Sequence, residues 1–416
     1  MNNFTYSNSG LVNLAISLII PFLILGPFLP DLIVSISALL FLFYSLKNNN
    51  FYYFNKKPFF IFIIFCIISL LISLEAENVS LSIKSSLPYF RIGVFSCFIW
   101  YLVDKDKNIL KHFYYSLIVC FLSLIIDGYF QYFTESNLLG FKMIENRVSS
   151  FFGDELIMGS YLSRLFPLLF AFFLVLQKNK YEIYFIGFLF ILADVLIFMS
   201  GERSAFFYLN LSTIFIIILI KKYQIFRLTT FIIALICIFI LSLNSSKLTQ
   251  RMFEGPARDM GIIKSSNAPT IFSPVHDSHY RTAYEMFKDK PFLGHGPRMF
   301  REMCKNEKYA VGVSPCSTHP HNFYIQLLAE TGVVGFLFLF SAFVYVLYCA
   351  LMQLKSIVLK QKRPFTDYQV CLLAGILISV WPLSPNGNFF NNWLSIIYSL
   401  PVGFYLQSIY GKKKVN

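Results

Sequence analysis

Apolar runs of sixteen residues or more recur along the chain, separated by short polar connectors. They lie near 11–29, 31–46, 58–74, 88–103, 110–131, 157–176, 182–199, 204–220, 226–243, 323–352, 367–383 and 391–409. Each approaches the length needed to cross roughly 30 Å of hydrocarbon as a helix. Pro27 and Pro30 leave a very tight turn between the first two, and Pro21 and Pro27 would kink the first. A membrane helix tolerates such a kink when neighbours supply hydrogen-bond partners. One long polar stretch, 244–322, interrupts the pattern. The expectation is an all-α polytopic membrane protein of about 12 transmembrane helices with one long loop. Helices 1–9 occupy 1–243, the loop is 244–322, and 323–416 holds helices 10–12 and a tail, as one membrane domain overall. Within the loop, Arg281–Phe287 and Arg298–Cys304 have the apolar spacing of short amphipathic helices, with PFLGHGP as a turn between them. The first run follows a neutral segment, MNNFTYSNSG, without a small-residue cleavage site, and reads as a retained helix.

Composition agrees. The chain has 416 residues, 56% hydrophobic and only 14% charged, against roughly 25% charged in a soluble domain. A net charge of +13 could suggest nucleic acid, but its distribution argues against it. Lys and Arg concentrate in alternate connectors: Lys47, Lys56 and Lys57; Lys105, Lys107 and Lys111; Lys178 and Lys180; Lys221, Lys222 and Arg227; Lys355, Lys360, Lys362 and Arg363; and the tail Lys412, Lys413 and Lys414. The positive-inside rule then puts both termini in the cytoplasm and the long loop on the opposite face, the periplasm of a Gram-negative cell. Six of the eight Cys residues lie in apolar runs, where Cys behaves as a small hydrophobe. Cys304 and Cys316 lie in the loop. They are either a disulfide, if the loop is outside the cytoplasm, or two free thiols.

The candidate chemistry gathers at the end of the loop. Five of the six His residues, His276, His279, His295, His319 and His321, lie there. His321 stands at the start of the tenth apolar run, where partial desolvation and a positive helix end favour its neutral, proton-accepting form. That suits a general base for a hydroxyl. Asn322, Gln326 and Glu330 recur at i, i+4 and i+8 as a polar stripe on one helix face. Glu330 is on roughly the opposite side from His321 and is expected to pair with a buried Arg. Arg91 and Arg164 fall inside apolar runs, where a cation is costly and usually functional. Asp127 and Asp194 lie at matching depths. Two readings stay open: structural pairs Arg91–Asp127 and Arg164–Asp194, or a cationic pocket for an anionic headgroup. Arg203, in the short turn SGERSA, and Arg281, in HYRTAYEMF, could bind phosphate through their planar donors; otherwise they are an interfacial anchor and a solvated helix face. His276, His279 and His295 read as loop surface or acceptor contacts. HPH alone gives no metal site, GHGP lacks the Lys of a phosphate loop, and no G-x-S-x-G element occurs.

The stretches HYRTAYEMFKDKPFLGHGPRMF and HPHNFYIQLLAETGVVGF resemble the signature region of the O-antigen ligase and O-antigen polymerase superfamily. SGERSAFF and NRVSSFFGDELIMGSYLSR resemble its central region. The resemblance covers roughly 145–340 in motifs and the whole chain in layout. It implies an inverting, metal-independent glycosyltransferase of the bacterial inner membrane, without cofactor, acting at the periplasmic face. The implied donor is a glycan on undecaprenyl pyrophosphate; the acceptor is lipid A–core in ligases or a second lipid-linked glycan in polymerases. It implies catalytic roles for His321, Arg203 and Arg281. Arg91, Arg164, Arg147, His319, Asn322, Gln326 and Glu330 are then candidates for substrate binding. Ligase is the leading expectation and polymerase the alternative. A transporter for lipid-linked saccharide is the alternative from a different class; it would need neither a long outer loop nor a His at its mouth, and such proteins usually show repeat symmetry.

Overall fold

A computed structural model describes residues 9–177, 179–263 and 272–412. Lys178, Lys413 and Lys414 of the basic connectors, and 264–271 of the long loop, lie outside the described residues. A helix occupies each of the twelve apolar runs, and among the described residues there is no strand beyond two isolated bridges. The first run is a broken pair, α1 (Ser9–Ser17) and α2 (Ile19–Leu25). Then come α3 (Phe28–Lys47), α4 (Lys57–Ser73), the pair α5 (Val79–Ser86) and α6 (Phe90–Lys105), and α7 (Ile109–Thr134). After these come α8 (Met158–Leu176), α9 (Lys180–Met199), α10 (Arg203–Leu219) and α11 (Gln224–Asn244). The loop carries α12 (Ser246–Thr249), α13 (Gly255–Asp259), α14 (Pro274–Asp289) and α15 (Phe300–Met303). The chain ends with α16 (Phe323–Val358), α17 (Asp367–Ser379) and α18 (Asn392–Tyr410). Seven helices among the described residues are long and apolar enough to cross a membrane on their own, and four apolar helices are shorter.

The bundle closes around α8, whose side chains are almost all buried, against α7, α10 and α17. Lipid tails are as apolar as Leu, so close backbone approach and hydrogen bonds between helices must hold such a bundle together. Helices α6 and α18 show this. Gly403 lies against Ser96 and Ile99, and Ser96 Oγ donates to Ser399 O at 3.1 Å.

Neither candidate ion pair, Arg91–Asp127 or Arg164–Asp194, forms among the described residues. Arg91 pairs with Asp31, and its Nη1 donates to Pro88 O at 3.1 Å. Asp127 forms no ion pair among the described residues: it accepts Leu138 N at 2.8 Å and Ser150 Oγ at 2.6 Å, holding the 135–150 loop. Asp194 pairs with Arg227, a residue assigned from the sequence to a cytoplasmic connector. Arg227 is 0% exposed, donates to Asp194 Oδ2 at 2.9 Å and Thr213 Oγ1 at 2.8 Å, and lies 4.4 Å from the Phe166 ring centre. Depth along a helix was a sound guide to burial but carries no information about which helix stands alongside.

The loop has a small core of its own. On α14, His279, Thr282, Ala283 and Met286 are buried on one face, and Met299, Phe300 and Met303 pack against Ala283 and Met286. The helix is longer than the sequence pattern predicts. Pro274 opens it, and Ser273 Oγ accepts His276 N at 3.4 Å as its cap. Cys304 and Cys316 form a disulfide. The turn between the two segments docks on α16, which is not one straight rod: Gly332 breaks it at φ 63° and ψ −161°. The freed main chain is used by the loop, with His295 N donating to Ala329 O at 3.0 Å, Gly296 N to Glu330 O at 2.8 Å and Val333 N to Pro291 O at 2.9 Å. A Cβ on Gly332 would run into the Phe292 carbonyl, and its φ disfavours any L side chain. Gly332→Ala is therefore expected to destabilise loop docking by about 1–3 kcal/mol. A lower thermal midpoint in detergent, with earlier proteolysis inside 244–322, checks this; an unchanged midpoint and cleavage pattern would refute it.

Candidate active site

His321 precedes α16 and takes a left-handed backbone conformation, φ 58°, which costs a non-Gly residue energy unless its surroundings enforce it. Asn386, in the loop before α18, donates its N–H to His321 O at 2.7 Å. Asn322 Oδ1 accepts Tyr324 N at 2.9 Å and Ile325 N at 3.2 Å, capping the helix, while its Nδ2 donates to Pro382 O at 2.8 Å. The backbone that aims the imidazole is thus held from two sides by the 380–391 loop.

Four imidazoles meet at this point. Ring centres lie 4.1 Å apart for His319 and His321, 5.2 Å for His276 and His321, and 5.4 Å for His279 and His321. His276 and His279, read from the sequence as loop surface or acceptor contacts, therefore belong to the cluster's wall. Their i, i+3 spacing on the face of α14 that also buries Met286 was the available signal. His295 lies elsewhere: its Nε2 faces Met286 O at 3.0 Å, and it is buried rather than on the surface. Burial, then the imidazoles of His319, His276 and His279, lower the pKa of His321 to about 3. Burial chiefly lowers His319 to about 4. Burial, His279 and the Arg203 charge lower His276, and burial lowers His279. All four are neutral near pH 7. Ser317 Oγ engages His321 Nε2 at 3.2 Å.

A ring of guanidinium groups surrounds the turn before α10. Arg147 Nε donates to Ser200 O at 2.9 Å, Arg251 Nε to Gly201 O at 3.0 Å, and Arg203 Nε to Arg251 O at 2.8 Å. Gly201, at φ +66°, lets Arg147 and Arg251 close over it. Against three cations stand Glu145, which pairs with Arg251 at 3.1 Å, Asp259, whose charge acts on Arg203, and Glu202, whose oxygens accept Gly159 N at 2.6 Å and Ser160 N at 3.0 Å. Burial and then Arg251 lower the pKa of Arg147. Arg251 carried no sequence signal beyond its charge. Its position depends on the short α12 segment folding back over the turn.

The remaining candidates are not brought into this cluster. Arg281 is largely exposed and pairs with Asp277 at 2.8 Å, one helical turn away. Arg91 pairs with Asp31. Arg164 forms no ion pair within 4.0 Å among the described residues: its Nε donates to Tyr398 Oη at 2.9 Å, its Nη2 to Asn386 Oδ1 at 3.4 Å, and it lies 4.9 Å from the Tyr208 ring centre. It is linked to His321 through Asn386, whose Oδ1 it meets and whose N–H donates to His321 O. The polar stripe of α16 is real but holds loops. Gln326 Oε1 accepts Phe389 N at 2.9 Å, and Gln326 Nε2 donates to Glu330 Oε2 at 2.9 Å. Glu330 Oε1 accepts Phe300 N at 3.2 Å. Glu330 thus binds loop backbone where pairing with a buried Arg was expected.

Fold and site together define a polytopic helical membrane protein with an imidazole cluster and a guanidinium ring under a folded loop. Residues 186–340, which run from α9 into α16 and carry Arg203, Arg251 and all four clustered imidazoles, match the family described as O-Antigen ligase. Over that length the segment is similar to the O-antigen ligase-like superfamily, a family associated with ligase and polymerase activity. No curated protein matches the chain.

Proposed function

We propose that the protein is an inverting, metal-independent glycosyltransferase that moves a glycan from undecaprenyl pyrophosphate to an acceptor hydroxyl, the O-antigen ligase reaction with lipid A–core as acceptor. The observation that carries this reading is a neutral His321 at the centre of the imidazole cluster, with Arg203 close enough to His276 to act on it electrostatically. Arg203, Arg147 and Arg251 bind the diphosphate and stabilise its charge as it leaves. The acceptor oxygen attacks the anomeric carbon from the face opposite the departing diphosphate, so its configuration inverts. The carbon–oxygen bond to phosphate breaks, its electron pair leaves on the diphosphate, and the acceptor proton passes to His321. Ser317 holds Nε2 and leaves Nδ1 for that proton. Arg281, exposed beside Asp277, is a contact for substrate arriving from the loop side. Arg164 supports His321 through Asn386. The Cys304–Cys316 disulfide fits a loop on the oxidising side of a bacterial inner membrane, with the termini cytoplasmic.

The test is transfer by the purified chain in vesicles supplied with undecaprenyl-pyrophosphate glycan and lipid A–core. Glycan on lipid A–core with release of the carrier diphosphate supports the proposal. Extension of one lipid-linked glycan by another would mean a polymerase, and movement of intact donor across the vesicle would mean a transporter. The pH dependence adds a check. A lowered His321 pKa leaves the base form dominant at every pH above about 3, and kcat/KM reports free-enzyme groups. The acid limb of kcat/KM is therefore expected to lie well below the ordinary His value of about 6.5. In the complex the bound diphosphate anion raises His321, so the limb in kcat is expected at higher pH. A kcat/KM limb at the ordinary His value would contradict the assignment.

A further inference from the structure

Two more guanidinium groups lie near the imidazole cluster, at the His319 end. Arg301 Nη2 donates to Thr318 O at 3.3 Å, and Thr318 Oγ1 pairs with His319 Nδ1 at 2.9 Å. Arg298, three residues earlier, has a left-handed backbone at φ 63°, and its Nη2 donates to Phe390 O at 3.4 Å. Neither forms an ion pair within 4.0 Å among the described residues. The Nε of each is buried without a protein acceptor. The nearby carboxylate, Glu330, is hydrogen-bonded by Gln326 and the Phe300 amide, and its one charge acts on both guanidinium groups. Burial and then the charge of Arg301 lower the pKa of Arg298. Two cations held side by side, with one carboxylate between them and no ion pair to either, gain from an added anion.

The order of charges gives that anion a place. Arg203 acts on His276 and Arg301 acts on His319, while His276 and His319 both flank His321. Arg203 and Arg301 thus border the cluster at different imidazoles, His276 and His319. We infer that Arg298 and Arg301 form a second anion subsite that binds an oxyanion carried by the acceptor saccharide, at the His319 end of the cluster. A phosphate monoester fits two guanidinium forks best, because each fork can engage two oxygens. The subsite rests on the transfer reading above and extends it. It holds the acceptor by its charge so that a neighbouring hydroxyl faces His321.

The full chain in phosphatidylcholine nanodiscs, titrated calorimetrically with pyrophosphate, is expected to show two sites. Arg298→Gln with Arg301→Gln should remove one of them. It should also raise KM for lipid A–core about tenfold or more, with donor KM unchanged. Arg203→Gln with Arg251→Gln should remove the other site and raise donor KM. Retention of both sites in the Arg298/Arg301 pair, or a rise in donor KM there, overturns the subsite. Failure of the Arg203/Arg251 pair to lose any site overturns the donor reading instead. Arg301→Lys, which keeps the charge and loses the fork, should retain both sites with one weakened; equal loss of both in that variant also overturns the subsite.

Discussion

His321→Ala is expected to lower the rate of glycan transfer by about 10²–10⁴-fold, the usual contribution of a positioned general base, while leaving donor binding intact. The physical case has three parts. The imidazole is neutral at working pH, because burial and three neighbouring imidazoles all disfavour a second proton. Its backbone sits in a left-handed conformation that Asn386 and the Asn322 cap enforce, an arrangement with no evident purpose but to aim a side chain. Its partner Ser317 leaves one ring nitrogen for substrate. Alanine retains the cap and the disulfide, so the loop should stay folded. Single-turnover transfer in vesicles, with donor binding measured beside it, is the test. A variant that transfers at more than about one-fifth of the normal rate would falsify the assignment, since that is far above the loss expected for a general base.

Arg203→Gln is expected to reduce kcat by about 10²–10³-fold, comparable to the removal of one donor from a preorganised site for developing negative charge. Its Nε is committed to Arg251 O, and its charge is felt by Asp259 and His276. Lysine should rescue the variant only in part, because a point charge cannot bind two oxygens in a plane. The loss should appear in kcat as well as donor KM, since charge on the diphosphate grows as the bond breaks. A loss confined to KM would make Arg203 a mere anchor. Loss of fold is a weaker explanation here, because the turn around Gly201 keeps its contacts from Arg147 and Arg251.

Several elements could be read from residue order because the physics behind them is local. The length of an apolar run decides whether a helix can cross hydrocarbon, and all twelve runs are helical. Buried Arg91 and Arg164 were legible for the same reason. So was the start of α16, because Asn322 caps within three residues of itself. Gly332 was not, since nothing in ETGVVG says that Pro291 and Phe292 will dock against it.

The residue order by itself therefore determined the helical membrane class, the polar loop, and His321 and Arg203 as candidate chemistry. Each follows from interactions within a few residues or from the bulk cost of placing charge in lipid. Tertiary structure alone decided which partners meet: Asp194 with Arg227, Arg91 with Asp31, Arg251 over the Gly201 turn, and His276 and His279 against His321. Those contacts join segments tens to hundreds of residues apart. Charge and depth admit several pairings for each, and only the packing of helices and the docking of the loop select one.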